Sequence, residues 1–467
     1  MSEMRSERRL DDADRPSDAG ATHRLPHVGV VLAAGRSERM ASVTGGGSKA
    51  LVRLGGVFLI ERAVRSLLQL GLDEVVVVVG FRASQVVAVV DRIAPGRVRA
   101  VRAERWEDGN GASLLAAEPV VADEPLFMVM TADHVFDEGS LLPLKNAGRP
   151  AVLVDHAPEP TVWAEGTRVR LHDEHVVAFS KELADPSVDC GAFLLSPAVF
   201  AAQREAAGRG DHSLSGAVST LAARRPLAAI PLPAGAWWLD IDTPSDLRTA
   251  RKTIRRTLAK ATDGPVSRYV NRPVSTRLSM AIAPLSIHPD VVSAGAFVTG
   301  IVAAWLLGIG AGVAGAALTC LTSVLDGVDG EVARLKGRAT ARGALLDGVV
   351  DRVSDAAIAA GLAVWAINSG GVSPAAGAIL AAAATAASML SMATKDRIAA
   401  LGLPAAPERR IGLLLGGRDG RLLMVALGAL AGRPTWALVA MIATATTALV
   451  VRLWSVHTSS SRLETTP

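Results

Sequence analysis

Up to about residue 280 the apolar residues come in short runs broken by charged turns; beyond it they form long, Ala- and Gly-rich stretches. Val28–Ala33 is a six-residue apolar run ending in a glycine-containing turn, the pattern of a buried parallel strand. Further strand-like runs are Glu74–Val79, Leu126–Met130, Ala151–Val154, Val176–Phe179 and Ala192–Leu195, with helical patterns at Leu59–Leu70 and Ser84–Arg92 between the early ones. That alternation predicts a Rossmann-like α/β domain over 25–250, with a mostly parallel sheet and helices on both faces. Residues 1–24 are polar and of mixed charge without an apolar core, so they read as a disordered tail and not as a signal peptide.

The second half predicts an all-α, six-helix transmembrane domain over 286–456, followed by a short tail at 457–467. Its spans fall near 291–309, 311–328, 344–366, 372–394, 419–431 and 435–454. Alternate connections hold Arg334, Lys336, Arg338 and Arg342, then Lys395, Arg397, Arg409, Arg410, Arg418 and Arg421, whereas the opposite turns carry only Arg433. This asymmetry places both termini and the soluble domain inside the cell, on a multi-pass protein of the inner membrane. Residues 251–285 are basic and partly amphipathic, suiting a linker helix and a helix lying on the membrane surface.

Composition narrows the field. A chain of 467 residues suggests two or three domains, and 49 Lys+Arg against 45 Asp+Glu gives no excess of the kind that binds nucleic acid. Cys190 and Cys320 lie in different halves, which argues against a disulfide framework. Small residues in the spans permit close helix packing and a homodimer through the membrane domain.

Asp326, Asp329, Asp347 and Asp351 stand inside this apolar half. Carboxylates at membrane depth are costly and usually functional. Asp326 and Asp329 are spaced i, i+3 and Asp347 and Asp351 i, i+4, so each pair shares one helix face. Two such faces turned together form an oxygen cage for a hard divalent cation, Mg²⁺ with Mn²⁺ as the alternative. Gly330 and Gly343 remove side chains where phosphates would approach the backbone.

In the soluble half, Leu32-Ala33-Ala34-Gly35-Arg36-Ser37-Glu38-Arg39-Met40 follows the first strand directly, and Lys49 lies nine residues later. A glycine-containing loop at a strand end offers N–H groups to phosphate, and Arg39 and Lys49 add positive charge. Asn110, Gly111 and Ser113 sit in a second loop suited to closing over a base or ribose. Asp133 ends an apolar strand, where open sheets bind ligands, and Trp237-Trp238-Leu239-Asp240-Ile241-Asp242 supplies further carboxylates before a helix.

These residues resemble the nucleotidyltransferases that activate sugar-like phosphates. The resemblance implies that Gly35, Arg39 and Lys49 hold the triphosphate, and that Asp133 and Asp240, or Asp242 in its place, share a metal ion. Lys181 matches a substrate-phosphate lysine; Ser37 stands where many members have glycine, and Cys190 where threonine is usual. The string Asp326, Asp329, Gly330, Ala333, Arg334, Gly343, Asp347 and Asp351 resembles the full signature of CDP-alcohol phosphatidyltransferases. There the first three aspartates hold metal and the diphosphate, and the last, Asp351, also deprotonates the acceptor hydroxyl.

The order of the two halves resembles the bifunctional CTP:inositol-1-phosphate cytidylyltransferase/di-myo-inositol-phosphate-phosphate synthase family. The joining run from Val266 to Arg277 and Thr131-Ala-Asp-His134 belong to the match. It implies CTP, inositol 1-phosphate and CDP-inositol as partners, with Arg268, Arg277, Arg342, Arg409, Arg410 and Arg418 as candidates for the acceptor's phosphate. The alternative is a phospholipid synthase using CDP-diacylglycerol, its soluble domain serving another nucleotidyl transfer or a sensing role. Membranes incubated with radiolabelled CTP and inositol 1-phosphate and then solvent-extracted separate the two. The first reading expects inositol-containing product in the aqueous phase; a product that partitions into the organic phase sinks it.

Overall fold

The computed structural model describes residues 25–225, 227–259, 263–285, 287–403 and 408–464. The expected tail at 1–24 and the last three residues lie outside them. The chain divides into two compact units, Met1–Val52 with Phe58–Leu247, and Arg53–Val57 with Arg248–Pro467.

The first unit is built on a nine-stranded sheet. Its strands are β1 (Val28–Ala33), β2 (Glu74–Val79), β3 (Val98–Arg102), β4 (Phe127–Thr131), β6 (Ala151–Asp155), β7 (Arg168–His172), β8 (His175–Ser180), β9 (Val188–Leu195) and β10 (Leu227–Pro231), in the order β3-β2-β1-β4-β9-β6-β10-β8-β7. A separate two-stranded ribbon pairs β5 (His134–Phe136) with β11 (Trp238–Asp240). The expected parallel arrangement holds from β3 to β4. Beyond β4 the sheet turns mixed: β9 runs antiparallel to β4 and β6, and β8 antiparallel to β7 and β10. Runs at Ala151–Val154, Val176–Phe179 and Ala192–Leu195 are strands as expected, but an apolar run does not encode strand direction; β7 and β8 are joined by a tight turn at Asp173–Glu174, both at positive φ. Helices α1 (Leu59–Gln69), α2 (Ala83–Val90), α3 (Ala198–Gly208) and α4 (Leu214–Arg224) accompany the sheet, and its two faces carry separate apolar cores. Val30, Val76 and Val129 point into one core, Val31, Val77 and Met130 into the other, as strand alternation requires. Burial on both faces explains why these strands read as unbroken apolar runs.

Two helices open the second unit, α5 (Pro244–Thr257), which begins in the first unit, and α6 (Arg272–Ile282). Six longer ones follow: α7 (Pro289–Gly308), α8 (Gly312–Leu335), α9 (Ala341–Asn368), α10 (Pro374–Ala400), then after the short α11 (Glu408–Leu413), α12 (Arg418–Leu430) and α13 (Pro434–Glu464). Each expected span falls on one of these helices. Among the described residues, however, only α7, α10 and the Pro434–Thr458 part of α13 are long and apolar enough to cross a bilayer on composition alone. The charge in α8 and α9 is the acid signature itself. With 13 residues, α12 reaches only about 20 Å, short of a hydrocarbon core about 30 Å thick. Just before and along α6, Tyr269, Val270, Val274 and Leu278 are exposed, the last three at i, i+4 spacing.

Helices α7, α8 and α9 pack tightly through small residues. A Cβ placed on Gly361 would lie 2.2 Å from the Ala304 carbonyl oxygen, so α7 and α9 approach to a distance that only glycine permits. Gly361→Ala is expected to cost about 1–3 kcal/mol through overpacking, read as a lower thermal unfolding midpoint in detergent. An unchanged midpoint would contradict this packing.

Candidate active sites

The first site forms where three chain segments meet at the carboxyl end of β1 and β4. The loop after β1 turns at Ser37, whose φ of 47° lies in the left-handed region. That conformation costs a non-glycine residue about 1–2 kcal/mol, which accounts for glycine being usual there. A Cβ on Gly35 would meet nothing within 4 Å, leaving its backbone open to a ligand. Leu32, Ala33 and Ala34 are buried beneath this loop, while Arg36 and Arg39 are exposed. Pairing of Asp240 opposite His134 in the β5–β11 ribbon brings the late carboxylates beside Asp133.

Lys49 is the hub. Its buried Nζ donates to Asp133 Oδ2 at 2.7 Å and to Asp242 Oδ1 at 2.5 Å, and lies 4.0 Å from Asp240 Oδ1. Arg39 donates to the other oxygen of Asp242. The Thr243 hydroxyl accepts from Asp246 N–H and the Asp246 carboxylate from Thr243 N–H, a reciprocal cap on α5. Capping therefore falls to Thr243 and Asp246, and Asp242 is left to the cations. Donor atoms of Asp133, His134 and Asp240 lie within 4.8 Å of one another, a set that fits a divalent cation.

Charge balance sets the protonation states here. Burial opposes the charged Lys49 ammonium, but Asp133, Asp240 and Asp242 outweigh it and raise its pKa. Burial likewise works against Asp133 ionising, and Lys49 and His134 overcome it, holding the carboxyl well below its usual range. For His134 burial is overcome by Asp240 and Asp133, which raise the imidazole to about 9. Desolvation leads at Asp189 too and pushes it up to about 6.

The other expected residues of this half are placed less centrally. The Asn110 side-chain oxygen accepts from Leu214 N–H at 2.8 Å, tying its loop to the start of α4. Gly111 is required by packing, since a Cβ would lie 2.4 Å from Gln203 Oε1 and 2.5 Å from Ser213 O. Ser113 donates to Gly109 O. Lys181 is exposed and lines a cavity of about 420 Å³ with Thr167, Phe179, Arg209 and Asp211, and that cavity includes neither Asp133 nor Lys49.

In the second unit, carboxylate oxygens of Asp326 on α8 and of Asp347 and Asp351 on α9 converge to within 4.8 Å. All-oxygen donors at this spacing fit a hard divalent cation. Asp329 stands aside from the trio: its Oδ2 accepts from Ser293 Oγ at 2.6 Å and its Oδ1 from Gly330 N–H. The three face a cavity of about 290 Å³ whose cationic lining comprises Arg272, Lys395, Arg418 and Arg452. Arg418 Nη1 lies 3.0 Å from both Asp326 and Asp351. Arg352 approaches Asp351 no closer than 3.7 Å.

Of the arginines expected at the acceptor's phosphate, Arg418 alone lines this cavity. Arg268, Arg277, Arg342 and Arg410 are exposed and outside its lining, and the Arg409 side chain lies outside the described residues. Arg334 donates to Leu258 O at 3.1 Å. Gly330 and Gly343 are not forced by packing, a Cβ there meeting nothing nearer than 3.4 and 3.2 Å, and Ala333 is half-buried.

Residues 29–191 match the MobA-like NTP transferase domain family, and residues 286–450 the CDP-alcohol phosphatidyltransferase family. A "Bifunctional IPC transferase and DIPP synthase" of Rubrobacter xylanophilus is 38% identical over 88% of this chain and 92% of its own. This chain belongs to the bifunctional IPC transferase and DIPP synthase family. The protein of that name from Thermococcus kodakarensis is 32% identical over 74% of this chain and 77% of its own. A solved structure, the inositol-1-phosphate CTP transferase from T. maritima, covers 49% of this chain and 97% of its own at 22% identity and a TM-score of 0.43.

The chain is accordingly a membrane-associated bifunctional enzyme, a nucleotidyltransferase joined to a CDP-alcohol phosphotransferase, and both families use divalent metals. The sequence reading gives no site role to His134, nor to Arg272, Lys395 and Asp419, which line the second cavity; Asp419 there accepts from Ser323 Oγ at 2.7 Å. His134 closes the Thr131–His134 motif, and the β5–β11 pairing is what brings it to Asp240. Arg272 is held by Asp263 at 2.7 Å and by Glu331 at 2.5 Å, and Glu331 beside Gly330 was the available signal.

The His134 shift has a definite sign. Its folded pKa of about 9 lies above the unfolded value of about 6.5, so the stabilisation is complete below pH 6.5 and lost as pH rises toward 9. In chelator, the unfolding midpoint of the soluble unit within the full chain should fall across that window, and His134→Gln should remove most of the fall. A wild-type midpoint flat from pH 6.5 to 9 refutes the assignment.

Proposed function

We propose that the chain makes CDP-inositol from CTP and inositol 1-phosphate at the Lys49 site, and that the Asp351 site transfers the inositol-phosphate group to a second inositol 1-phosphate. The observation that carries this reading is the presence, in one chain, of two acid clusters of different design. One is threaded by a lysine and an arginine for a triphosphate; the other is all carboxylate and opens on a cationic cavity. The names of the relatives supply the substrates.

At the first site, a phosphate oxygen of the polyol phosphate attacks the α-phosphorus of CTP and pyrophosphate leaves. Lys49 and Arg39 neutralise charge on the triphosphate, and Asp133 and Asp240, with Asp242 as the alternative to Asp240, would hold the cation. At the second, Asp326, Asp347 and Asp351 would hold the cation, with Asp329 beside them held by Ser293, and Asp351 accepts the acceptor hydroxyl's proton. The freed oxygen attacks the β-phosphorus and CMP leaves, giving di-myo-inositol phosphate phosphate, a compatible solute. Bound Mg²⁺, with Mn²⁺ as the alternative, would supply charge neutralisation at both phosphorus centres. Arg418 takes the acceptor's phosphate, and Leu32 to Arg36 with Asn110, Gly111 and Ser113 form the nucleotide's surroundings. The protein works as a homodimer in the inner membrane, six times spanning, with both termini cytoplasmic.

The two steps are separable in the full chain. Asp133→Asn should lower CDP-inositol formation by at least about 100-fold while sparing turnover of supplied CDP-inositol. Asp351→Asn should let CDP-inositol accumulate from CTP, followed by mass spectrometry. Loss of both products from folded Asp351→Asn protein would contradict two independent sites.

A further inference from the structure

The Arg418 guanidinium is held unevenly. Its Nε donates a 3.1 Å hydrogen bond to Asp355 Oδ1, whereas Nη1, 3.0 Å from both Asp326 and Asp351, is buried without a hydrogen-bond partner of proper geometry. Asp355 lies four residues after Asp351 on α9, so it shares that helix face but sits one turn deeper. It does not join the three converging carboxylates. Its side chain is only 6% exposed, and Arg421 Nη2 stands 3.8 Å behind it. Arg421 is anchored in turn by donating Nη1 to Gly416 O at 3.0 Å, at the loop that leads into α12.

We propose that Asp355 is a positioning residue for the transfer step. It fixes Arg418 at Nε and leaves the Nη1 edge free to exchange partners. That edge lies 3.0 Å from both Asp326 and Asp351. Asp326, Asp347 and Asp351 would hold a divalent cation, whose like charge would leave that edge to the cavity and the phosphate of the incoming acceptor. An arginine without the Asp355 anchor would keep its charge and lose its aim, since a guanidinium binds phosphate best with its planar fork held in place. A buried Arg421 behind Asp355, 3.8 Å away, helps to orient that carboxylate.

This inference rests on the reading that the acceptor is a phosphorylated polyol, and the test separates the two. Full-length protein in detergent is given CDP-inositol directly, with either inositol 1-phosphate or inositol as acceptor, so that the soluble site plays no part. For D355N the expected result is a KM for inositol 1-phosphate raised about tenfold, near the worth of one charge-assisted hydrogen bond, with the KM for CDP-inositol unchanged. D355E should recover part of the loss. R418K should raise the same KM, and the D355N/R418K double variant should be no worse than R418K alone, because one pathway is lost once. If D355N does not fold, D355E and R418K carry the comparison through the same KM. Penalties that add, or a fall in turnover with the acceptor KM unmoved, overturn the positioning role. Wild-type turnover that is equally good with inositol removes the phosphorylated-acceptor reading itself, and the proposal with it.

Discussion

Like charges held close together away from bulk water need a counter-charge, and both halves of this chain are organised around that need. Asp326, Asp347 and Asp351 bring oxygens within 4.8 Å of one another. At an effective dielectric constant of 20, two unit charges at that distance repel by about 3.5 kcal/mol. In the structure Arg418 supplies positive charge to two of the three, and the geometry leaves that charge exchangeable. A site that tolerates its own repulsion only in the presence of a cation is poised to bind a metal and the diphosphate that accompanies it. The close packing of α7, α8 and α9 through small residues keeps the carboxylates from moving apart.

The soluble half meets the same constraint differently. There the counter-charge is built in: Lys49 is buried against Asp133 and Asp242, and the protonated form of His134 adds more. A triphosphate brings its own negative charge, so a site that receives it needs resident cations as well as carboxylates. At the second site the cations line the cavity beside the carboxylates instead. Two designs for two phosphate loads is a physical reason for one chain to contain both.

How much was legible depended on how local each signal was. Val28–Ala33 and Glu74–Val79 were found because strands buried on both faces leave unbroken apolar runs. Arg168–His172 and Leu227–Pro231 were passed over because their burial comes from neighbours distant in sequence. The aspartate string showed itself through helical spacing alone. Arg277 and Arg342 looked as suitable for a phosphate as Arg418 did, since a basic residue near an apolar span carries the same sequence signal whether it faces solvent or a cavity.

The sequence by itself determined the two halves, the strand that carries the phosphate loop, and the carboxylates of the membrane signature, because period, run length and i, i+4 spacing are properties of a single segment. Only the tertiary structure decided that Asp329 stands aside from the trio, that His134 faces Asp240, and that Arg418 rests on Asp355. Each of those depends on the direction of a side chain across a gap between segments up to about a hundred residues apart. Pattern within one segment cannot fix such a direction, because it is set by how helices and strands from elsewhere in the chain pack against it.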